Sequence, residues 1–252
     1  MEVVGERYKR TIPRTIVQFW DNLDRLPQDV DECIASWRQW KPHGFAHHLF
    51  DRSAASQFIS NSLGARYERT FQRCYHPSMQ ADYFRLCYLL IEGGFYVDAD
   101  DVCIANEIGW LFEDGRLKLQ PLCTNLKLKQ SINSSEFLDP NVSDPDWIFS
   151  FNNTPLISCA SHPIVERALG RATSLLEAAS EGELLEIEAT TGPGNLSEAV
   201  FDLGTRPDGD VETALVALRD WNLLAVTRLD LSYREDSRNW RSSNQKKFDQ
   251  AT

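Results

Sequence analysis

Between Pro77 and Asp101 the sequence leaves the chain little choice of local structure. Pro77 stands where a first-turn proline is tolerated, and Ala81, Phe84, Cys87, Tyr88 and Ile91 recur at helical spacing. The pair Gly93-Gly94 then supplies the left-handed cap that stops a helix. Immediately afterwards Phe95 to Val97 reads as a compact strand, and it runs straight into Asp98-Ala99-Asp100-Asp101. A helix closed by a tight turn onto a strand with carboxylates at its carboxyl end predicts an α/β layered domain. In open sheets of that class, ligands bind in the crevice beyond the carboxyl ends of the strands.

The rest of the chain extends the alternation. Thr15 to Trp20 is a β-branched and aromatic run between Pro13 and Asp21-Asn22, and predicts the first strand. Val30, Cys33, Ile34, Trp37 and Trp40 give an amphipathic helix over 29–40, ended by Pro42 and Gly44. His47 to Phe50 supplies a second strand, with helical segments at 53–62 and 65–74. Residues 116–146, carrying Pro121, Pro140 and Pro145, read as an irregular insertion with one hairpin. Trp147 to Phe151 reads as a strand, Pro163 to about Ser180 as a helix, and 183–189 as a shorter helical piece. Gly192-Pro193-Gly194 marks a turn, 196–203 and 211–221 read as helices, and Leu223 to Leu229 as a last strand. Beyond residue 234 the chain is polar around a lone Trp240.

Composition bounds the function classes. The 252 residues are 42% apolar, 25% charged and 11% aromatic, enough to bury a core and too apolar for a disordered chain. A net charge of −11 repels phosphate backbones, so nucleic acid is not expected as the main partner. The apolar runs fall far short of the ~20 residues needed to cross a bilayer. Six scattered cysteines without a CxxC pair suggest neither a zinc knuckle nor a disulfide scaffold. His47 and His48 point to opposite faces of their strand and read as structural. No G-x-S-x-G, HExxH or P-loop is present, which leaves serine hydrolysis, zinc proteolysis and Walker-type chemistry without a footing.

Asp98 and Asp100 form a D-x-D pair at a strand-to-loop corner, where alternate side chains turn toward one small volume. Such a volume suits Mg²⁺ or Mn²⁺, which takes one or two protein carboxylates and fills its other positions with water and substrate phosphates. A nucleotide diphosphate is the natural bridging ligand, because the metal neutralises charge on a departing diphosphate. As a bare pattern, D-x-D describes a solvated acidic turn equally well. Asp82 and Arg85, three apart on the preceding helix, share a face and can pair. On a helix surface such a pair is worth only ~0.3–0.5 kcal/mol. On an otherwise apolar helix leading into the acidic strand, it is delivered instead to the same crevice, where it can hold sugar hydroxyls and phosphate oxygens.

Ala81-Asp82-Tyr83-Phe84-Arg85-Leu86, followed by Glu92-Gly93-Gly94-Phe95-Tyr96-Val97-Asp98-Ala99-Asp100, resembles the signature of the DXD-containing sugar transferases. That family includes fungal initiating mannosyltransferases, bacterial capsular polysaccharide and lipopolysaccharide glycosyltransferases and, more distantly, the large glucosylating bacterial toxins. Ile12-Pro13-Arg14 to Gln18-Phe19-Trp20 is similar to the family's first strand, and Ser36-Trp37 with His48-Leu49-Phe50-Asp51 to its next block. The likeness spans about residues 12–104.

The resemblance implies a GT-A type, Rossmann-like nucleotide-binding fold, with a mixed central sheet flanked by helices. It implies one domain over 1–252, with a nucleotide-sugar half at about 12–110 and an acceptor-side half with a closing segment at about 111–252. The activity implied is retaining transfer of a hexose from a UDP- or GDP-sugar to a hydroxyl acceptor, expected to be a glycan, with Mn²⁺ or Mg²⁺ as cofactor. By position, Trp20 would stack on the donor base, Asp82 and Arg85 would hold the donor sugar, and Tyr96 would line the nucleotide pocket. Asp98 would meet ribose or metal-bound water, and Asp100 would bind the cation. Asn152-Asn153 ahead of Ser161-His162-Pro163 resembles a later block in which an asparagine approaches the sugar, which adds Asn153. Asn239-Trp240 stands where members carry a Ser-Trp pair that closes over the donor, which adds Trp240. The chain departs from the pattern at Val17, where members often have histidine. Fungal members carry a membrane anchor that is not found here, so a cytoplasmic or membrane-peripheral enzyme is expected. Toxin-like glucosylation of a protein acceptor is the alternative in the same family. A metal-dependent phosphohydrolase would place its D-x-D on the first strand and continue it to threonine, whereas here Asp101-Val102 follows. A catalytically silent binding module would not need Asp82, Arg85, Asp98 and Asp100 together.

Overall fold

A computed structural model describes residues 11–205 and 214–246. Strand β1 (Thr15–Phe19) lies at the centre of the parallel part of the sheet. It is followed by helix α1 (Gln28–Arg38), strand β2 (Ala46–Phe50), helices α2 (Arg52–Leu63), α3 (Ala65–Gln72) and α4 (Pro77–Ile91), and strand β3 (Gly94–Tyr96). β2 and β3 pair parallel to β1 on opposite edges, with Val17 opposite both His48 and Tyr96. The chain thus passes from β1 to one neighbour and returns across it to the other. The crevice outside the carboxyl ends of β1 and β3 is the topological switch point, where open α/β sheets place their ligands.

Next come β4 (Asp101–Cys103), β5 (Leu117–Asn125), β6 (Gln130–Ser131), α5 (Ser134–Phe137), β7 (Trp147–Ser158) and α6 (Pro163–Ala178). The described chain closes with α7 (Ile187–Thr190), α8 (Pro193–Gly204), β8 (Leu215–Ala217), β9 (Ala225–Thr227) and α9 (Trp240–Ser243). The seven-stranded sheet runs β2-β1-β3-β7-β5-β6, with β8 also on β5, while β4 and β9 form a separate antiparallel pair. Because β7 is antiparallel to both β3 and β5, and β8 parallel to β5, the sheet is mixed.

Strand alternation separates two cores. Val17, Phe19 and Tyr96 face a cluster built with Tyr83, Phe84 and Cys87 of α4 and Ile164, Val165 and Leu169 of α6. Ile16 and Phe95 face the opposite cluster, with Trp37, Phe112 and Trp221. Val17 therefore belongs to the core, and the family histidine has no counterpart at that position in the cavity lining. All six cysteines are buried, and none forms a disulfide among the described residues. Among the described residues no helix is long and apolar enough to cross a membrane.

The glycine pair after α4 is required by more than the cap. Gly93 and Gly94 have φ of 69° and 112°, and a Cβ on Gly93 would lie 2.7 Å from the Ala160 nitrogen and 2.8 Å from the Ser158 oxygen. A side chain here would push β3 away from β7, since it could neither adopt the backbone conformation nor fit the space.

Several local readings need correction. Residues 117–125 form a nine-residue strand within the main sheet, not an irregular insertion. Pro121 is accommodated because the β5–β7 register shifts between Leu119 and Pro121, where a missing N–H costs least. The turn read at Gly192-Pro193-Gly194 is the N-cap and first turn of α8. Gly192 is needed because a Cβ there would lie 2.9 Å from the Glu188 Cα. The helical piece expected at 183–189 occupies Ile187–Thr190, where Glu186 caps it through its carboxylate. Of the helix read at 211–221, residues 211–213 lie outside those described, and Leu215–Ala217 is instead a strand held by β5. Trp240 opens α9 and packs against the larger core, so it is not a solvated tail residue.

Candidate active site

Each charged group at the switch point is delivered by a different local device. The His76 side chain caps α4 and Pro77 occupies its first turn, which aims the Asp82–Arg85 face across the carboxyl end of β3. Two residues past β3 the chain reaches Asp98, whose backbone is pinned from both sides. Thr154 Oγ1 accepts from the Asp98 N–H at 3.1 Å, and Gln18 Nε2 donates to the Asp98 carbonyl at 3.1 Å. His47 Nε2 lies 2.8 Å from Gln18 Oε1, so edge strand β2 contributes to the same bracing.

Arg85 is the hub. Its side chain is only 3% exposed, with Nη2 2.9 Å from Asp82 Oδ1 and 2.8 Å from Asp98 Oδ1. Nη1 donates to the Asn153 carbonyl at 2.7 Å, and the guanidinium lies 4.3 Å from the centroid of the Tyr96 ring. Asn153 Nδ2 in turn donates to Asp82 Oδ1 at 2.8 Å, and Thr191 Oγ1 donates to Asp82 Oδ2 at 3.3 Å. The pair read from the sequence as three apart on one helical face is thus a buried network linking α4, the β3 corner, β7 and the segment before α8. Burial of this kind is costly unless every charge is paired, and the forked guanidinium meets that requirement here.

Asp100 points to the other side of the corner, where Tyr233 Oη donates to Oδ2 at 2.7 Å and Arg234 forms an ion pair with the same oxygen. Asp101 begins β4. Its carboxylate accepts from the hydroxyls of Thr154 and Thr227, while its carbonyl accepts from Trp37 Nε1 at 2.8 Å. Burial pushes the Asp98 carboxyl up to about 6, with Arg85 opposing and Asp100 and Asp82 adding to the rise. Asp101 is pushed up to about 8 by burial, and then by Asp100 and Asp98. Asp82 is also raised by burial, against Arg85, Asn153 and Thr191. Keeping these crowded carboxyls ionised is costly, and an added cation would offset that cost.

A cavity of about 330 Å³ opens over this network. All eight residues singled out in the sequence, Trp20, Asp82, Arg85, Tyr96, Asp98, Asp100, Asn153 and Trp240, line it. Trp20 forms part of the wall with its ring 5.3 Å from that of Tyr233, edge to face, and Arg238 lies 5.3 Å from the Trp20 ring. Trp20 Nε1 and Tyr96 Oη are buried without a hydrogen-bond partner among the described residues. Past Asp21, Pro77 and Arg238 the cavity adjoins a polar groove of about 1010 Å³ that includes Ser53, Ser56, Asn61 and Gln72.

Asp98 and Asp100 each keep one carboxylate oxygen, Oδ2 and Oδ1 respectively, free of hydrogen bonds among the described residues. Among the described residues no three His, Cys, Asp or Glu side chains converge as a preformed metal cage. A hard cation bound here would thus rest on two aspartates and on its ligand's oxygens, the arrangement by which Mg²⁺ is usually held at nucleotide sites. The donor set fits the cofactor expected from the sequence.

Residues 27–114, the stretch that carries Asp82, Arg85, Tyr96, Asp98 and Asp100, match the family described as glycosyltransferase sugar-binding region containing DXD motif. That stretch is similar to the sugar-binding region of the DXD-containing glycosyltransferases. The chain is 24% identical over 210 residues to the initiation-specific alpha-1,6-mannosyltransferase of Schizosaccharomyces pombe, a match covering 77% of this chain and 49% of that protein. It is 26% identical over 117 residues to an uncharacterized glycosyltransferase of Acanthamoeba polyphaga mimivirus, covering 42% of this chain and 45% of the relative. The chain thus spans about half the length of these relatives. In fold it is similar to the PaToxG glycosyltransferase, with a TM-score of 0.50 at 14% identity over 83% of this chain and 75% of that one.

Sequence reading missed several residues at and around the cavity wall. Thr154, Tyr233 and Arg234 carry no motif of their own, and each reaches the site across more than fifty residues of chain. The one available signal was the spacing of Arg234, Arg238 and Arg241 in an otherwise acidic chain.

Proposed function

We propose that the protein is a retaining glycosyltransferase that moves a hexose from a UDP- or GDP-sugar to a hydroxyl acceptor, a glycan in the first instance, with Mn²⁺ or Mg²⁺ bound at Asp98 and Asp100. The observation that carries this reading is the convergence of Asp82, Arg85 and Asp98 on one another at the floor of a cavity walled by Trp20 and Asp100. In this reading Trp20 offers its face to the base, and Asp82 and Asn153 present acceptor and donor groups to sugar hydroxyls. Arg85 holds those groups in place from below, stacked on Tyr96, and Trp240 flanks the entrance. When bound, the divalent cation would supply positive charge to the leaving diphosphate.

Both Asp82 oxygens are already engaged, one by Arg85 and Asn153 and the other by Thr191, so Asp82 is an orienting group and not a poised nucleophile. Attack by the acceptor on the face the leaving group vacates fits this wall better than a double displacement. The part of the chain after about residue 111 contributes Asn153, Tyr233, Arg234 and Trp240 to the same cavity, in addition to the acceptor side proposed for it.

The test is a panel of UDP- and GDP-sugars incubated with Mn²⁺, read as released nucleotide, with the product anomer assigned by NMR. Turnover should fall at least 100-fold in Asp100→Asn and on chelation. Undiminished activity in that variant, or in excess chelator, refutes the metal assignment, and an inverted product refutes retention.

A further inference from the structure

The wall of the cavity facing the aspartates is built by one strap of chain, residues 232–245, fastened at both ends. At its start the Ser232 N–H and hydroxyl bond to Asp29 at 2.6 and 3.1 Å. At its end the Ser243 hydroxyl lies 2.8 Å from His76 Nε2, the Ile187 N–H donates to Asn244 Oδ1 at 3.1 Å, and the Gln245 N–H reaches Tyr75 Oη at 2.8 Å. Between these anchors the strap carries three arginines that line the cavity, in a protein whose net charge is −11.

The three are not equivalent. Arg238 spends Nε and Nη2 on Asp236, and Arg241 is exposed and lies against the Trp240 ring. Arg234 is different. Its side chain is 12% exposed, Nη2 is held by Asp100 and Nε donates to the Arg228 carbonyl at 3.1 Å. A guanidinium has five N–H donors, so three remain without a partner among the described residues, in a sheltered side chain on the cavity wall. On the cavity lining such donors are met by water or by a ligand. The matching ligand is a compact, multiply charged oxyanion, since arginine's fork fits phosphate oxygens and pairs of this kind are strongest out of water.

We propose that Arg234 is a diphosphate-binding residue, a tethered cation that bridges Asp100 and the diphosphate of the nucleotide, so that nucleoside-diphosphate binding does not wait for a divalent cation. The inference rests on the glycosyltransferase reading of the same cavity. It adds that Arg234 and the metal share the leaving-group charge, the arginine holding the diphosphate in place and the metal adding to that hold.

Calorimetric titration of UDP, GDP and the matching nucleoside monophosphates, each with EDTA and with Mn²⁺, tests this. The wild-type protein should bind at least one nucleoside diphosphate in EDTA. Arg234→Gln should weaken that binding 10- to 100-fold, the worth of a charge-assisted hydrogen bond at ~1.5–3 kcal/mol. Arg234→Lys should restore part of it, and monophosphate binding should change little in either variant. A purely structural role would weaken both ligands alike and would overturn the proposal. So would binding seen only with Mn²⁺, or an Arg234→Gln variant equal to wild type in EDTA, and both of these leave the glycosyltransferase reading standing. Absence of nucleotide binding under every condition removes both. Glu235→Gln, on an exposed position of the same turn, is the control for the fold.

Discussion

Arg85→Gln offers the sharpest physical test of the buried network. The substitution removes charge-assisted contacts at 2.8 and 2.9 Å to Asp98 and Asp82, a 2.7 Å bond to the Asn153 carbonyl, and the guanidinium lying 4.3 Å from the Tyr96 centroid. Breaking a buried pair from one side costs ~3–5 kcal/mol, because the abandoned carboxylates stay out of water. The abandoned groups are already raised by burial and can take up protons, which holds the expected loss to ~4 kcal/mol, near the middle of that range. Against a whole-domain stability of ~5–15 kcal/mol this is a large fraction. The assay is equilibrium urea unfolding at pH 7 in EDTA, followed by tryptophan fluorescence. Arg85→Gln combined with Asp98→Asn should be less unstable than the sum of the single variants by ~2 kcal/mol, because the second change removes a charge that the first stranded. The Arg66–Glu177 pair, bidentate at 2.8 Å but exposed, is the comparison, and Arg66→Gln should change little. An Arg85→Gln midpoint as close to wild type as that of Arg66→Gln, or a cycle additive within ~0.5 kcal/mol, refutes the argument.

Two further outcomes follow from the packing and the titrations. Gly93→Ala should destabilise the protein by ~2 kcal/mol or more, combining a positive φ with a Cβ 2.7 Å from the Ala160 nitrogen, and an unchanged urea midpoint would show that β3 has slack the structure does not display. His47 is pushed down to about 4 by burial, helped by Arg38, Lys41 and His48, so the unfolded chain takes up its proton first as pH falls. Its stabilisation is complete above about pH 6.5 and is lost as pH falls toward 4, by at most ~3 kcal/mol and by less where water reaches the ring. His47→Gln should flatten the urea midpoint between pH 7 and 5 relative to wild type, and parallel profiles would exclude the imidazole as a cause.

What could be read in advance was whatever is decided within a few residues. The stripe on α4, the Gly93-Gly94 stop and the short strand after it are local, and helical spacing alone put Asp82 beside Arg85. Even there the environment was open, since spacing does not distinguish a surface pair from a buried one; only the Asn153 and Thr191 contacts, arriving from β7 and the segment before α8, decide it. β5 was obscured because Pro121 is a local breaker, tolerated through a register shift that depends on a strand some thirty residues later. Tyr233 and Arg234 were illegible for a related reason. They sit in a polar stretch without periodicity, and their partner Asp100 is more than 130 residues away. Position-by-position likeness to a family supplied Trp20, Asn153 and Trp240, which neither periodicity nor charge would have selected.

The ion-paired trio under the cavity also bears on how such a protein can change over generations. Asp82, Arg85 and Asp98 are bonded into the interior, so a descendant without the proposed activity would still be under pressure to retain them in order to fold. Asp100 and Arg234 are tied mainly to each other and to the strap, at the edge of the interior, and could be exchanged with far less harm to the rest. Drift away from catalysis would therefore register first at Asp100 and Arg234, and those two positions distinguish a working enzyme from an inert copy better than the internal trio does.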